Sequence, residues 1–494
     1  FTTPGIELTA SAALASFTEP AWDFRYDGRL ALDSLRTILR KPRSPTGNVR
    51  FHGQGAWRQG HLEVRGGYEA SGVAMAYDWF TASGLWSRSS YRGTQQRLEF
   101  PDFEARALSG RITGRVDLEF AGQKFRAATR IHGMNLAALL EATDHPGVPS
   151  NALHWDGSVD ADSVTTWTED FKHVDSRGRM LWSPPLEPRE GLQPVTARLD
   201  FHYSQDGGFI ELRDSEISTP ITLVRVNGTL GARDSALDLR FRTSDLRPWN
   251  DFIYRLRGPQ AERVPIAGSA EFAGRMTGRL NHPAFAGRVR AADAAYGDLL
   301  WDEVEGDITY SPDELRLQRA SARRGHSTAQ LELRLALERW SFTDESEWSA
   351  TAELVRAPLD GLQSLFGTSY PVRGLVTGQF RGGGTRAAPQ LTGLVDIASV
   401  EAWGTPLDRA RGQIALDSNA LRINNAELRR GNARVAGDLL YAFADRQIEF
   451  QMAGAVIPLA EIRQIQAPRL PLAGTLSFQA RGSGPLQAPS AEGT

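Results

Sequence analysis

The chain has no cysteine and almost no lysine. The absence of cysteine excludes disulfides, thiolate metal sites and cysteine nucleophiles. Lysine occurs only at Lys41, Lys124 and Lys172, so the basic residues are nearly all arginine. We interpret this bias as the codon usage of a GC-rich genome rather than as an arginine-specific function. The net charge of -3 provides no field that would gather nucleic acid, which argues against that partner class.

Long hydrophobic runs are also missing. No apolar run approaches the roughly 18 residues of a membrane-spanning helix, and the chain opens at Phe1 without a signal peptide. The repeat pattern described next stops at Gly493 and Thr494. We therefore expect the chain to be a fragment of a longer protein, with any membrane anchor outside it. An apolar fraction of 41% and a charged fraction of 23% are typical of a folded, soluble protein.

Three stretches share one spacing of glycine and proline, about a hundred residues apart. They begin at Pro265, Pro371 and Pro471. In each copy glycine follows after 3 and 13 residues, proline after 18 and glycine after 22. In the first two copies the agreement extends to Gly325 and Gly431, 60 residues on. The chain is therefore predicted to be an array of large repeats.

A second marker recurs five times and predicts a short helix in each repeat. Five leucines lie where a strand-like run ends, at intervals of 104, 110, 113 and 100 residues: Leu32, Leu136, Leu246, Leu359 and Leu459. Large apolar residues follow three positions later and, in most copies, six positions later, which fits a helix with one buried face. We predict that residues 1–39 are the end of a preceding repeat and that residues 467–494 are the start of a truncated one. Between them we predict four repeats, of which the second is divergent: 40–143, 144–255, 256–366 and 367–466.

The segments between these helices read as strands. Residues 330–338 alternate almost perfectly between leucine and mostly charged side chains, and many other runs keep the same period of two. Such alternation predicts sheets with one apolar face and one solvent-exposed face. Because the links between the strands are short and polar, neighbouring strands are predicted to be antiparallel. We predict a mostly β fold with roughly six strands per repeat: an elongated, curved, antiparallel β-groove of about five repeats, each with one short helix.

The apolar face of such a sheet must be covered or occupied. It can pack on a second sheet, which would give a row of separate β-sandwiches of about 100 residues each. Alternatively, the sheet can curl into a trough whose apolar face contacts an apolar ligand. Single short helices cannot cover six strands, which favours the trough, but the spacing alone leaves both open. The predicted groove residues are the alternating apolar sets: Leu315, Leu317, Leu331, Leu333, Leu335, Leu337, Leu421, Ile423, Ile448, Phe450 and Met452.

The repeat resembles that of the AsmA-like/TamB superfamily, the bridge-like lipid-transfer repeat proteins that include the translocation and assembly module. The likeness is clearest over residues 264–494 and looser over 1–260. It rests on the opening Pro-x-x-Gly and on four patterned segments: 277–283, 285–289, 304–308 and the alternating run that ends at Pro358 and Leu359. These are patterned positions and not a catalytic signature.

The resemblance implies a taco-shaped β-groove in the periplasm of a bacterium with two membranes, anchored upstream in the inner membrane. It implies phospholipid acyl chains as the ligand, carried towards the outer membrane. An outer-membrane barrel assembly protein is a further partner that the resemblance implies. Two other function classes stay open: a chaperone that pairs its sheet edges with nascent outer-membrane strands, and a surface adhesin of β-sandwiches that binds glycan through loops and tryptophan.

No catalytic constellation emerges from the sequence, so we predict a protein that is not an enzyme and needs no cofactor or metal. Residues 381–384 (Arg-Gly-Gly-Gly) lack the Lys-Ser/Thr ending of a phosphate loop, and we interpret them as a hairpin turn. Glu169, Asp170, His173 and Asp175 could ligate a metal by type, but nothing sets their geometry. We interpret this cluster as a solvated loop.

Overall fold

The computed structural model describes most of the chain, with short gaps: residues 2–16, 21–34, 45–77, 80–144, 150–168, 172–187, 189–231, 233–257, 265–279, 282–297, 299–365, 370–461, 473–485 and 488–494. Strands account for 76% and helices for 7% of it, so the mostly β prediction is confirmed. Contacts divide the chain into two units. Unit 1 comprises Phe1–Thr243, Asp251–Gln260 and Arg275–Pro283, and unit 2 comprises Ser244–Asn250, Ala261–Gly274 and Ala284–Thr494.

Unit 1 is built almost wholly of strands. They are β1 (Thr2–Thr3), β2 (Ile6–Ser16), β3 (Ala21–Ala31), β4 (Thr46–Arg58), β5 (His61–Tyr77), β6 (Phe80–Thr94), β7 (Arg97–Ala107), β8 (Gly110–Glu119), β9 (Lys124–Asn135), β10 (Trp155–Asp156), β11 (Ser158–Thr168), β12 (Lys172–Ser183), β13 (Gln193–Pro194), β14 (Thr196–Ser204), β15 (Phe209–Ser218), β16 (Thr222–Gly231) and β17 (Ser235–Thr243). All are antiparallel to their neighbours except β10 and β13, which form a separate parallel pair.

The residues of β18 (Ile266–Arg279) are divided between the two units, and the first two residues of the next strand belong to unit 1. Unit 2 continues with β19 (His282–Tyr296), β20 (Leu299–Tyr310), β21 (Glu314–Arg324), β22 (Ser327–Ala336), β23 (Glu347–Pro358), β24 (Val372–Thr385), β25 (Pro389–Ala402), β26 (Thr405–Leu416), β27 (Ala420–Arg430), β28 (Ala433–Ala442), β29 (Gln447–Pro458), β30 (Thr475–Pro485) and β31 (Ser490–Gly493). At about 4.8 Å per strand, the thirteen strands β19 to β31 make a sheet roughly 60 Å wide.

Within each unit the long strands pair in chain order, and the pairing continues across the predicted repeat boundaries. In unit 1, β3 pairs with β4 and β9 with β11. In unit 2, β23 pairs with β24 and β29 with β30. Among the pairings of the described residues, the first and last strands of a unit do not meet, so neither sheet closes on itself. Separate closed sandwiches, one per repeat, are therefore wrong for both units.

The five short helices predicted from the leucine marker are present. Residues 32–34 are helical, α1 is Leu136–Ala142, α2 is Asn250–Arg257 and α3 is Leu359–Leu365. Two short 3-10 helices are also found at marker leucines. One is Arg247–Trp249, directly after Leu246, and the other is Leu459–Glu461, which begins at the marker leucine itself. Marker positions 35, 38, 462 and 465 lie outside the described residues. No described helix is long and apolar enough to cross a membrane.

Six long strands separate successive helices, as the sequence predicts. They are β4–β9 before α1, β18–β23 before α3 and β24–β29 before the helical turn at Leu459. The longest of the described strands is β5, with 17 residues. The repeated Gly325 and Gly431 lie in the tight turns between β21 and β22 and between β27 and β28, both at positive φ (55° and 54°). Glycine adopts that conformation without steric cost, which explains the recurrence.

The fourth strand of three repeats contains a β-bulge that the sequence analysis did not predict. Asp214 in β15, Arg319 in β21 and Asn425 in β27 have positive φ values of 40°, 51° and 51°. The register shifts at the same places. The backbone N–H of Asn425 donates to Asp438 Oδ1 on the next strand at 2.8 Å. Each bulge inserts one residue, so the apolar side chains on both sides of it stay on one face, and the strand bends locally.

A small closed core lies beside α1 in unit 1. Leu136 of α1, Val159 of β11 and Val195 are almost completely buried, with exposures of 0%, 1% and 0%. The N-cap of α1 is Asn135, whose Oδ1 accepts from the Ala138 N–H at 2.9 Å. The loop before β14 is held by Asp156, which is 2% exposed and accepts from Arg189 Nε at 2.7 Å. This core lies where β9 and β11 meet, and most apolar residues of the unit lie outside it.

Candidate functional site

The predicted groove residues all lie in unit 2, and the strand register brings all of them except Leu337 onto one face of the sheet. Four of them belong to a row of directly paired residues that crosses twelve strands, β19 to β30, without a charged residue. The row is Gly287, Ile308, Leu317, Leu333, Ala350, Gly382, Leu391, Leu416, Leu421, Tyr441, Ile448 and Gly484. At about 4.8 Å per strand it is roughly 50 Å long.

Parallel rows widen this surface on both sides. The second row contains three predicted residues: Ala320, Leu331, Ala352, Phe380, Gly393, Ile414, Ile423, Leu439, Phe450 and Gly482. Met452 lies in a third row with Gly437 and Ala480. Leu315 and Leu335 pair in a fourth, followed by Trp348. We call these rows the apolar face of unit 2. Leu337 differs, because it lies beyond the end of β22.

The apolar face is only partly buried. Leu331, Leu333 and Leu335 are half-buried, while the alternating Gln330, Glu332 and Arg334 are exposed on the opposite face. These leucines are therefore not sealed in an interior, and part of each side chain stays exposed.

Aromatic rings lie flat on this face, over glycines of neighbouring strands. A methyl group added at Gly382 would lie 2.5 Å from the Trp348 ring, and one added at Gly393 would lie 2.5 Å from Phe380. The same arrangement occurs in unit 1, where a methyl group at Gly55 would lie 2.4 Å from Phe24. Glycine leaves room for the ring, and the ring covers backbone that glycine leaves bare. The sequence analysis missed these pairs because they join residues on different strands.

Unit 1 has an apolar face of its own, which carries Phe24 and Gly55, and hydroxyl groups also lie on it. The Tyr91 hydroxyl of β6 donates to the Tyr26 hydroxyl of β3 at 2.7 Å, so the two side chains reach across β4 and β5. Burial raises the pKa of Tyr91 above its usual range. Beneath the two hydroxyls lie Gly53 and Gly66, where added methyl groups would lie 2.6 and 2.5 Å from them. The tyrosines therefore lie along the sheet surface instead of standing away from it.

The face of unit 2 opposite its apolar face carries many paired arginines and carboxylates. Its most enclosed carboxylate is Glu427 of β27, which is 4% exposed. Glu427 Oε2 accepts from Arg411 Nε at 3.0 Å and from Arg434 Nη2 at 3.2 Å, and Oε1 accepts from Arg429. These guanidinium groups, Arg411 first, hold the Glu427 pKa at about 2. The arginines thus have a structural role across strands that composition alone did not reveal.

Glu427 is expected to make the stability of the folded chain depend on pH. Because its folded-state pKa is depressed, its contribution is present above the ordinary glutamate value and is lost as the pH falls from about 4.5 towards 2. We expect Glu427→Gln to melt earlier than the parent chain at pH 7, with most of the difference gone at pH 3. Thermal unfolding at the two pH values measures this. Glu449→Gln, at an exposed position of the same face, serves as the control and should melt like the parent at both.

The charged face of unit 1 contains a depression of about 1100 Å³. It is lined by side chains of β2 to β7, among them Arg25, Arg58 and Arg65. Arg58 donates to Asp23 at 3.0 Å, and Arg97 Nε lies 2.8 Å from Glu99. Much of its charge is therefore already paired within the protein.

The two motifs considered for other chemistry resolve into ordinary structure. Residues 381–384 lie within β24 and not in a turn, and Gly384 pairs with Pro389 at the end of the hairpin. His173 Nδ1 lies 2.8 Å from Asp206, and Asp175 contacts His202 Nε2 at 2.7 Å. Glu169 and Asp170 lie outside the described residues. Within the described part of the chain, no group of three or more His, Asp or Glu side chains is placed to hold a metal.

No protein-family model matches this chain, and no curated protein matches it significantly.

Proposed function

We propose that the chain is a non-enzymatic lipid conduit or tether, which moves phospholipid between the inner and outer membranes along the apolar face of its sheets. The observation that carries the proposal is the row from Gly287 to Gly484, which crosses twelve strands without a charged residue. Its side chains are mostly half-buried, so they have apolar surface to offer.

The energetics support an apolar strip as a carrier of lipid. Each methylene moved from water to an apolar surface gains about 0.8 kcal/mol. The roughly thirty methylenes of a two-chain lipid therefore represent a barrier of about 25 kcal/mol to crossing water. Contact with the leucines and the flat aromatic rings lowers that barrier without any covalent chemistry.

The uniformity of the rows supports movement rather than storage. Neighbouring rows of unit 2 consist mostly of leucine, isoleucine, alanine and glycine, with Phe380, Tyr441 and Phe450 among them. A chain displaced by one strand spacing, about 4.8 Å, meets another apolar surface. No single position then traps the lipid, and it can slide along the sheet.

The location follows from the sequence resemblance rather than from geometry. The patterned glycines and prolines resemble the AsmA-like/TamB repeat, which supports a place in the periplasm with an inner-membrane anchor upstream. An outer-membrane barrel assembly protein is the partner proposed on the same ground. Gly325 and Gly431, which recur in the internal repeat of this chain, lie at equivalent turns of unit 2. This gives the repeat a structural meaning.

A transfer assay tests the proposal. The purified chain is mixed with donor vesicles that contain a fluorescent phospholipid and with unlabelled acceptor vesicles. We expect transfer at least about tenfold faster than without protein, because the apolar face lowers the cost of leaving the donor bilayer. Organic extraction of the purified protein, followed by mass spectrometry, should release phospholipid.

Two results together would contradict the proposal: no extracted lipid, and transfer at the spontaneous rate. A fusion control, in which vesicle contents are labelled instead of lipids, separates carriage from membrane merging. If the contents mix, the chain acts on bilayers and not as a conduit. If they stay separate while lipid moves, the conduit is supported.

A further inference from the structure

Four hydroxyl-bearing side chains form a compact group on the apolar face of unit 1. Thr129 of β9 lies opposite Ser163 of β11, and Thr165 of β11 lies opposite Ser176 of β12. All four are half-buried. We call this group the hydroxyl patch.

The members of the patch bond to each other and keep further capacity. The Oγ1 of Thr129 and the Oγ of Ser163 are 2.9 Å apart, and the Oγ1 of Thr165 and the Oγ of Ser176 are 2.8 Å apart. In each pair one hydroxyl donates to the other. The second O–H then remains to donate elsewhere, and no acceptor for it is found among the described residues.

The surroundings of the patch are mostly apolar. On one side the adjacent row contains Phe125 and Trp167, and on the other it contains Ile131 and Ala161. Gly178 lies beside Ser163, and a methyl group there would lie 3.0 Å from the Phe201 ring, so an aromatic ring borders the patch on that side. The patch is therefore a small polar island within a surface suited to hydrocarbon.

The charged neighbours of the patch are on the other side of the sheet. Arg130 and Asp162 alternate with the patch residues along β9 and β11 and bond to each other at 2.8 Å. A phosphate would need a cation, and within the described residues the patch itself contains none. Two neutral donors in an apolar setting suit a neutral acceptor such as an ester carbonyl oxygen.

The apolar face of unit 2 lacks such a group. From β21 to β30, its four described rows contain one hydroxyl, that of Tyr441, at the end of β28. Hydrocarbon can contact unit 2 at any strand, whereas the patch offers hydrogen bonds at one place. We propose that the hydroxyl patch is a binding site for the ester carbonyl groups of a diacyl lipid. This inference rests on the proposed function and adds a chemical preference to it.

Ester and ether lipids distinguish this site, because an ether lacks the carbonyl oxygen. The natural chain has no cysteine, so a single introduced thiol can be labelled selectively. Ala127→Cys is the reporter: it pairs with Thr165 in the row of the patch. Its labelling by a polar maleimide is followed while diester or diether phosphatidylglycerol, with matched chains, is added. We expect the diester lipid to protect the thiol at about tenfold lower concentration.

Removing the patch should abolish that preference. In the background Thr129→Val, Ser163→Ala, Thr165→Val and Ser176→Ala, we expect the two lipids to protect Ala127→Cys at equal concentrations. Both partners of each hydroxyl pair are replaced by apolar groups, which usually costs little stability. Leu333→Cys on unit 2 is the control reporter, and both lipids should protect it equally in either background.

The outcomes separate the two proposals. Equal protection of Ala127→Cys by ester and ether lipids in the parent background overturns the patch as a carbonyl site, even when both reporters are protected. A preference that survives removal of the four hydroxyls also overturns it. Protection of neither reporter by either lipid overturns the proposed function itself.

Discussion

Replacing Leu333 and Leu335 together by aspartate is expected to reduce the phospholipid that co-purifies with the chain by about tenfold or more. Both side chains lie on the apolar face of β22 and are half-buried. The change removes hydrocarbon contact and places two carboxylates where acyl chains would lie, and a carboxylate loses hydration there. Phosphate analysis of an organic extract, normalised to protein, measures the loss.

A matched double variant on the opposite face controls for charge and for position on the strand. Thr328→Asp with Gln330→Asp changes two exposed residues of β22 and should leave the bound lipid unchanged. Far-UV circular dichroism of both variants should keep the β signal, because Leu333 and Leu335 are not part of a sealed core. Equal lipid content in all three proteins would falsify the assignment of this face.

A labelling measurement gives the same information without aspartate. Leu333→Cys and Gln330→Cys each introduce the sole thiol of the chain, on opposite faces of β22. Phospholipid vesicles should slow maleimide labelling at position 333 and not at position 330. Equal rates at the two positions, with lipid present, would count against the apolar face as the lipid site.

Gly437→Ala is expected to destabilise unit 2 by about 3 kcal/mol and to lower its melting temperature by about 6 °C or more. Gly437 lies in β28 between β27 and β29. A methyl group there would lie 2.0 Å from the Gln451 carbonyl oxygen and 2.8 Å from Met452 Cα. Backbone atoms cannot move away without breaking the pairing of β28 with β29.

The control for this prediction is Gly122→Ala, in the turn before β9. There the nearest atoms are those of the Lys124 side chain, at 3.7 Å, an ordinary contact distance. We expect its stability to change by less than about 0.5 kcal/mol. Calorimetry of both variants decides the matter: a Gly437→Ala variant that melts with the parent would mean that β28 and β29 do not pair in this register.

The candidate surface could be predicted residue by residue only where the signal is local. Leu331, Leu333 and Leu335 alternate with polar residues, and that pattern alone places them on one side of a strand. Leu337 continues the pattern in sequence, but β22 ends at Ala336, because the backbone there turns towards the next hairpin. Residues 381–384 show the opposite error: three glycines suggested a turn, whereas they extend β24 as small partners for Trp348 and its neighbours.

The hydroxyl patch and the Glu427 cluster could not be foreseen for a different reason. Ser163 lies 34 residues from Thr129, and Ser176 lies 11 residues from Thr165. Only the strand register decides which of these side chains become partners. Arg411 and Glu427 likewise meet because β26 and β27 are paired. A period of two states which face a residue takes, but not which residue on the next strand lies beside it.

By itself, the order of residues determined the strands, their two-sided character, the six strands between helices and the five leucines where short helices begin. These are local properties, set by alternation, by turn residues and by the spacing of apolar side chains. Three features were decided by the tertiary structure alone. They are the continuous strand pairing through the repeats of each unit, the positions of the bulges that shift the register, and the glycine that lies under each aromatic ring. Those outcomes depend on hydrogen bonds between separate strands, whose register a single strand's pattern does not encode.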